Sequence, residues 1–222
     1  MAELAGEPMI VHVVRRASEA RTVDHVIVAT DDERIAKAAT GAGAEAVMTG
    51  ECPSGTDRVA AAIEGRDEWE IVVNVQGDEP LLSGENIDVL VDGLQTDRLV
   101  RMSTLCRPLE SERTDDPNAV KVVRDLRGRA LYFSRSLIPY PRHRKAAWKL
   151  WSLHLGIYGF RRDALEAFVK LPPSELEQAE GLEQLRALEN GIQILVLDAP
   201  HPAFGVDTPE DLERVEKIIN GH

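Results

Sequence analysis

A chain of 222 residues with 43% apolar and 29% charged content is large enough to bury a proper core, and no disordered segment needs to be invoked. Its formal charge of −12 and pI near 5.0 exclude the clustered cationic surface that grips nucleic acid irrespective of sequence, so a small molecule is the expected partner. There is no basic-then-apolar leader or apolar run of membrane-spanning length, and Cys52 and Cys106 lack any CxxC spacing; the expectation is a soluble cytoplasmic protein without membrane, zinc or disulfide.

From the N-terminus, residues 7–20 place Met9, Ile10, Val13 and Val14 on one helical face, with Pro8 suited to the first turn, so the chain is expected to open on a helix. A strand at 23–30, a helix at 33–42 and a strand at 44–48 then spell β-α-β and a parallel sheet with crossover helices. After the loop Cys52-Pro53-Ser54-Gly55-Thr56-Asp57-Arg58 and a helix to Glu64, a buried-type strand at 70–75 ends abruptly in Gly77-Asp78-Glu79-Pro80. A helix follows, through Ile87 to Leu94.

The middle third changes character. Short strand-like pieces at 102–106, 119–124, 130–133 and 153–160 are broken by polar, proline-containing turns, the pattern of an antiparallel insertion lobe spanning approximately 100–160. Helices return at 163–170 and 182–189, the latter stopped by Gly191, and a strand at 192–197 precedes a last helix that Thr208-Pro209-Glu210-Asp211 opens. The fold class expected is α/β: one domain over 1–222, a mixed, mainly parallel, Rossmann-like nucleotidyltransferase sheet with helices on both faces and the antiparallel lobe inserted.

Asp78 and Asp207 each stand at a strand-to-helix transition, far apart in sequence. Strand ends of open α/β sheets form the ligand crevice, and a net-negative protein that binds a polyphosphate must mask the repulsion locally. Two carboxylates holding Mg²⁺, which needs only one or two from the protein, meet that need and point to a metal-dependent nucleotidyltransferase. The plainer readings are a turn acid at Asp78 and an acid complementing a helix dipole at Asp207. Ser54, Gly55 and Arg58 open a helix and could receive an anion, although capping explains Ser54 equally. Arg135, Arg142, Arg144, Lys145 and Lys149, interleaved with Trp148 and Trp151, form a basic stretch that fits an acidic sugar, a subunit contact or a solvated loop. His154 lies among apolar neighbours, where hydrogen-bonded filler is the commoner role.

Taken in order, Val28-Ala29-Thr30-Asp31-Asp32, Pro53-Ser54-Gly55-Thr56-Asp57-Arg58, Asn74-Val75-Gln76-Gly77-Asp78-Glu79-Pro80, Tyr132-Phe133-Ser134-Arg135-Ser136, His154-Leu155-Gly156-Ile157-Tyr158, Leu182-Glu183-Gln184-Leu185-Arg186 and Gly205-Val206-Asp207-Thr208-Pro209-Glu210-Asp211 resemble the 3-deoxy-D-manno-octulosonate cytidylyltransferase family. The resemblance runs from about Gly6 to Ile219. It implies a homodimeric enzyme that joins CTP to the acidic eight-carbon sugar, giving the CMP-sugar for lipopolysaccharide and releasing pyrophosphate. By that likeness Asp78 and Asp207 are catalytic and bind Mg²⁺. Gln76, Arg135, His154, Tyr158, Glu183 and Gln184 contact the sugar, and Ser54, Gly55 and Arg58 the nucleotide.

The sequence also departs from the family pattern. Members begin with a strand and a loop resembling Ile-Pro-Ala-Arg…Ser…Arg-Leu-Pro-Gly-Lys, roughly twenty residues that this sequence lacks. The expectation is a clipped version of a competent enzyme with impaired CTP binding. Cys52 stands where His is usual and Gly181 where Ser is common. The rival readings are a cytidylyltransferase for a related acidic sugar, an 8-amino relative or a sialic acid, and a non-catalytic dimeric remnant.

Overall fold

The computed structural model describes residues 2–142, 151–206 and 208–220. Asp207 and, in the basic stretch, Arg144, Lys145, Trp148 and Lys149 lie outside the described residues. In chain order the elements are β1 (Glu3–Leu4), β2 (Glu7–Pro8), α1 (Met9–Ser18), β3 (Ile27–Thr30), α2 (Glu33–Gly41), β4 (Glu45–Met48) and α3 (Gly55–Ala62). Next come β5 (Ile71–Asn74), α4 (Gly84–Thr96), β6 (Met102–Pro108), β7 (Lys121–Arg124), β8 (Ala130–Ser134) and β9 (Ser152–Arg161). The last are α5 (Arg162–Phe168), α6 (Glu175–Glu180), α7 (Gln184–Glu189), β10 (Ile194–Asp198) and α8 (Pro209–Ile219). No described helix is long and apolar enough to cross a membrane.

The chain divides into two compact units, one of Met1–Glu68, Asn74–Asp88 and Pro200–His222, the other of Trp69–Val73 and Val89–Ala199. In the first, β3 and β4 pair in parallel with α2 crossing between them, the β-α-β arrangement expected from the sequence. Val14, Val28, Ala39 and Ala44 are buried together, with Ile10, Val26, Ile35 and Ala42 packed around them. The opening of the chain corrects the expectation of an initial helix. β1 and β2 form a small antiparallel hairpin through Ala5 and Gly6, both at positive φ, and Pro8 is the residue before α1 rather than one in its first turn. His12 ties the hairpin down, donating from Nε2 to the Leu4 carbonyl at 2.9 Å.

The second unit holds a mixed sheet in the order β10-β6-β9-β7-β8, with β5 also paired to β9. β10 runs parallel to β6, whereas β6 with β9, β9 with β7 and β7 with β8 are antiparallel. The strands foreseen in the middle third are therefore present and antiparallel. β9 is the centre of this arrangement, and its register against β6 slips between Thr104 and Leu105, so that Leu105 faces Leu155 and Thr104 faces Tyr158. Phe133, Phe160, Phe168, Leu105, Ile157 and Leu185 are fully buried in this unit. The mixed α/β fold expected from the sequence is what the chain adopts.

Candidate active site

In the first unit the candidate nucleotide residues gather at the C-terminal ends of β3 and β4, where parallel sheets present ligand crevices. Arg58 sits inside α3 rather than in a loop before it. Its guanidinium donates to Thr49 Oγ1 at 2.6 Å and to Asp31 Oδ2 at 2.8 Å, bracing the segments that follow the two strands. Asp31 enters the sequence reading only within the motif at 28–32, without a role, and Thr49 not at all; an acid and a hydroxyl just past the two strand ends were the available signals. Ser54 is the N-cap of α3. Its hydroxyl accepts from the Asp57 N–H at 3.2 Å and donates to the Asp57 carboxylate at 2.7 Å, so the capping reading holds for this side chain. Gly55 begins the helix, and a Cβ built there would lie 3.7 Å from Gln76 Oε1, so the Gln76 amide sits against the helix start. Buried Asn74 donates to buried Thr56 at 3.2 Å and fixes the end of β5 against the same turn.

Asp78 is half-buried in the turn after β5. Its carbonyl accepts the Val206 N–H at 2.9 Å. That bond joins the Asp78 turn to the residue covalently preceding Asp207, which is itself outside the described residues. Among the described residues no group of three or more His, Cys, Asp or Glu side chains is placed to hold a metal ion. Mg²⁺ needs fewer protein ligands than that, and a half-exposed carboxylate in a turn suits its demand for water and phosphate oxygens.

The second unit carries the candidate sugar residues other than Gln76, and of these His154, Tyr158 and Gln184 are buried. His154 Nε2 lies 2.9 Å from Thr104 Oγ1. The Thr104 hydroxyl has one proton and two carbonyls to receive it, Ile157 at 2.8 Å and Leu155 at 3.2 Å, so it accepts from His154. His154 therefore carries its proton on Nε2 and presents Nδ1 as an acceptor. Burial holds its pKa near 3, so the ring is neutral at physiological pH. Phe133 meets the ring edge-on at 4.9 Å, and Tyr158 lies 5.5 Å away. Burial, and then the charge of Glu183, push the Tyr158 phenol well above its ordinary value, keeping it a hydroxyl donor.

Arg135 follows β8. Its guanidinium donates to the carbonyls of Glu180 at 2.7 Å, Pro117 at 2.9 Å and Gly181 at 3.3 Å. Among the described residues it has no carboxylate partner, and one N–H on each terminal nitrogen remains for a ligand. Gly181, at φ +63, ends α6 in the left-handed region, which explains glycine where the family pattern has Ser. Glu183 is the N-cap residue of α7, and Gln184 behind it is 4% exposed with an Nε2 that finds no partner among the described residues. Arg186, part of the same motif, braces the helix: it pairs with Glu177 through two nitrogens, at 2.8 and 2.5 Å, and lies over the Phe168 ring at 5.1 Å.

A cytidylyltransferase family profile matches residues 1–194, which makes the chain a nucleotidyltransferase by family. The chain is 51% identical to a 3-deoxy-manno-octulosonate cytidylyltransferase of Anaeromyxobacter sp., over 99% of this chain and 89% of that protein. It is 49% identical to the Myxococcus xanthus protein of that name, over 99% and 89% of the two chains. Identity to the protein named as the mitochondrial form of Arabidopsis thaliana is 45%, covering 99% of this chain and 77% of the other. A solved CMP:2-keto-3-deoxy-manno-octonic acid synthetase complexed with CTP superposes with a TM-score of 0.93 at 40% identity, over 99% of this chain and 90% of that one. A 4-diphosphocytidyl-2C-methyl-D-erythritol synthase from Anaerococcus prevotii, at 12% identity and a TM-score of 0.66 over 98% and 91% of the chains, shares the fold alone. This chain belongs to the 3-deoxy-manno-octulosonate cytidylyltransferase family.

Proposed function

We propose that this protein transfers the cytidylyl group of CTP to 3-deoxy-manno-octulosonate, releasing pyrophosphate. The anomeric hydroxyl oxygen forms a bond to the α-phosphorus as the bond to the β-phosphate bridging oxygen breaks; pyrophosphate leaves with that oxygen, and the hydroxyl proton passes to water. The observation that carries the reading is the close superposition on a synthetase solved with CTP, joined to about half-identity with relatives bearing the octulosonate name.

The side chains support the division of labour. On the sugar side, Arg135 is a cation fixed by three carbonyls with donors to spare, suited to the sugar carboxylate. Neutral His154 and protonated Tyr158 offer an acceptor and a donor to hydroxyls, and the buried Gln184 amide gains the partner it otherwise lacks. Glu183 completes the sugar-contacting set of the second unit, and Gln76, also assigned to the sugar, stands in the first unit against the start of α3. On the nucleotide side, Arg58 and the Ser54-Gly55 start of α3 offer a guanidinium and backbone N–H groups to phosphate or base. Mg²⁺, held by Asp78 and Asp207, would neutralise phosphate charge when bound. The active form in this reading is a cytoplasmic homodimer, for which exposed Leu126, Leu131 and Tyr140 supply apolar contact surface.

The test is pyrophosphate release from CTP with a panel of acidic sugars, with Mg²⁺ present and then chelated. The octulosonate should be preferred and chelation should abolish turnover; preference for an 8-amino sugar or a sialic acid would overturn the substrate assignment.

A further inference from the structure

Lys121 has no exposed surface at all, an uncommon place for an ammonium group. It stands on β7 with Ser134 of β8 as its partner on one side and Leu153 of β9 on the other. The residues that follow those two partners are Arg135 and His154. Its Nζ donates to the carbonyls of Asp116 at 2.7 Å and Arg135 at 2.9 Å, and it forms no ion pair among the described residues. An apolar side chain of similar length would fill this space without the cost of desolvating a charge, so packing alone does not account for a lysine here. Burial lowers its pKa below the ordinary lysine value, as that cost requires.

The backbone of Arg135 is held from its other side as well. Glu180 accepts from the Ser134 hydroxyl at 2.6 Å and from the Arg135 N–H at 2.9 Å. Arg135 thus has its N–H on a carboxylate and its C=O on an ammonium. Val120, the residue just before β7, accepts the His154 N–H at 2.8 Å, so one short stretch of chain holds the backbone of both candidate sugar residues.

We propose that Lys121 is a positioning residue for sugar recognition: with Glu180 it clamps the Arg135 backbone so that the guanidinium meets the acidic sugar in one fixed geometry. This rests on the sugar-side reading of Arg135 and His154. The experiment measures KM for the octulosonate and for CTP in Lys121→Met, Arg135→Ala, the double variant and Val122→Ala, a core truncation at the neighbouring position. Lys121→Met should raise the sugar KM about tenfold or more and the CTP KM less than about twofold, since loss of a hydrogen bond to a charged group is on this scale. Val122→Ala should lower the melting temperature while leaving the ratio of the two KM values unchanged. In the Arg135→Ala background, Lys121→Met should add less than about twofold, because it acts through that residue. An unchanged sugar KM in Lys121→Met, an equal rise in Val122→Ala, or full additivity with Arg135→Ala would overturn the proposal. Should Lys121→Met not fold, Glu180→Gln is read by the same criteria. If Arg135→Ala itself leaves the sugar KM unchanged, the sugar-side reading falls and takes the clamp with it; if Arg135→Ala raises it and Lys121→Met does not, the clamp alone is wrong.

Discussion

In the first unit, the groups that would meet the nucleotide are held by contacts that water reaches: Arg58 pairs with a largely exposed Asp31, and Ser54 caps its own helix. In the second, Thr104, His154 and Lys121 are buried and hydrogen-bonded, where a missing partner would be costly. The contrast separates two ways of building a site. Exposed ion pairs contribute little to stability and can rearrange around a flexible triphosphate. Buried networks fix one geometry, suited to telling one sugar from another, and tie recognition to folding.

The largest effect should come from a residue on the water-accessible side. Asp78→Asn should lower kcat by about a hundredfold or more with Mg²⁺ present, while the melting temperature moves by less than about 2 °C, because a half-exposed turn residue keeps its backbone bonds. Turnover and thermal denaturation on one preparation check this, and unfolding of the variant would make the carboxylate structural. On the buried side function and stability should fall together. Thr104→Val removes the partner of His154 and of two carbonyls, and should cost about 2 kcal/mol of stability and raise the sugar KM about tenfold with CTP unaffected. Urea denaturation and steady-state kinetics measure both.

A smaller change is expected at Gly181. Replacement by Ala puts a Cβ on a residue at φ +63 and should cost about 1 kcal/mol, felt at the sugar side because Arg135 bonds the Gly181 carbonyl. A pH effect is expected as well. His154 has a folded pKa near 3 against an ordinary 6.5, so the unfolded chain binds its proton first as pH falls. Its contribution to stability is therefore level above pH 6.5 and is lost progressively as pH drops toward 3. His154→Gln should flatten that part of the urea-midpoint profile, and wild-type sugar KM should show no break near 6.5; a break there would place a titrating imidazole in the site.

The sequence made local chemistry legible. The Ser54 cap, the Thr208-Pro209-Glu210-Asp211 capping box and Gly191 at positive φ just past α7 each depend on neighbours a few residues away, so pattern alone located them. The strands of the middle third could be read from apolar runs and turn residues in the same way. The initial hairpin could not, because Ala5 takes a positive φ that alanine seldom adopts. Lys121, Thr104 and Glu180 were missed for another reason: their partners, Arg135, His154 and Ser134, are brought to them by strand register and helix packing. The traces they left were faint, a lysine between valines in an apolar strand and Ser103-Thr104 in the middle of another.

The division of labour is tested most directly by measuring KM for CTP and for the octulosonate in Arg58→Ala and Arg135→Ala side by side. Arg58→Ala should raise the CTP value about tenfold with the sugar value unchanged, and Arg135→Ala should do the reverse. Equal rises of both constants in both variants would contradict the account.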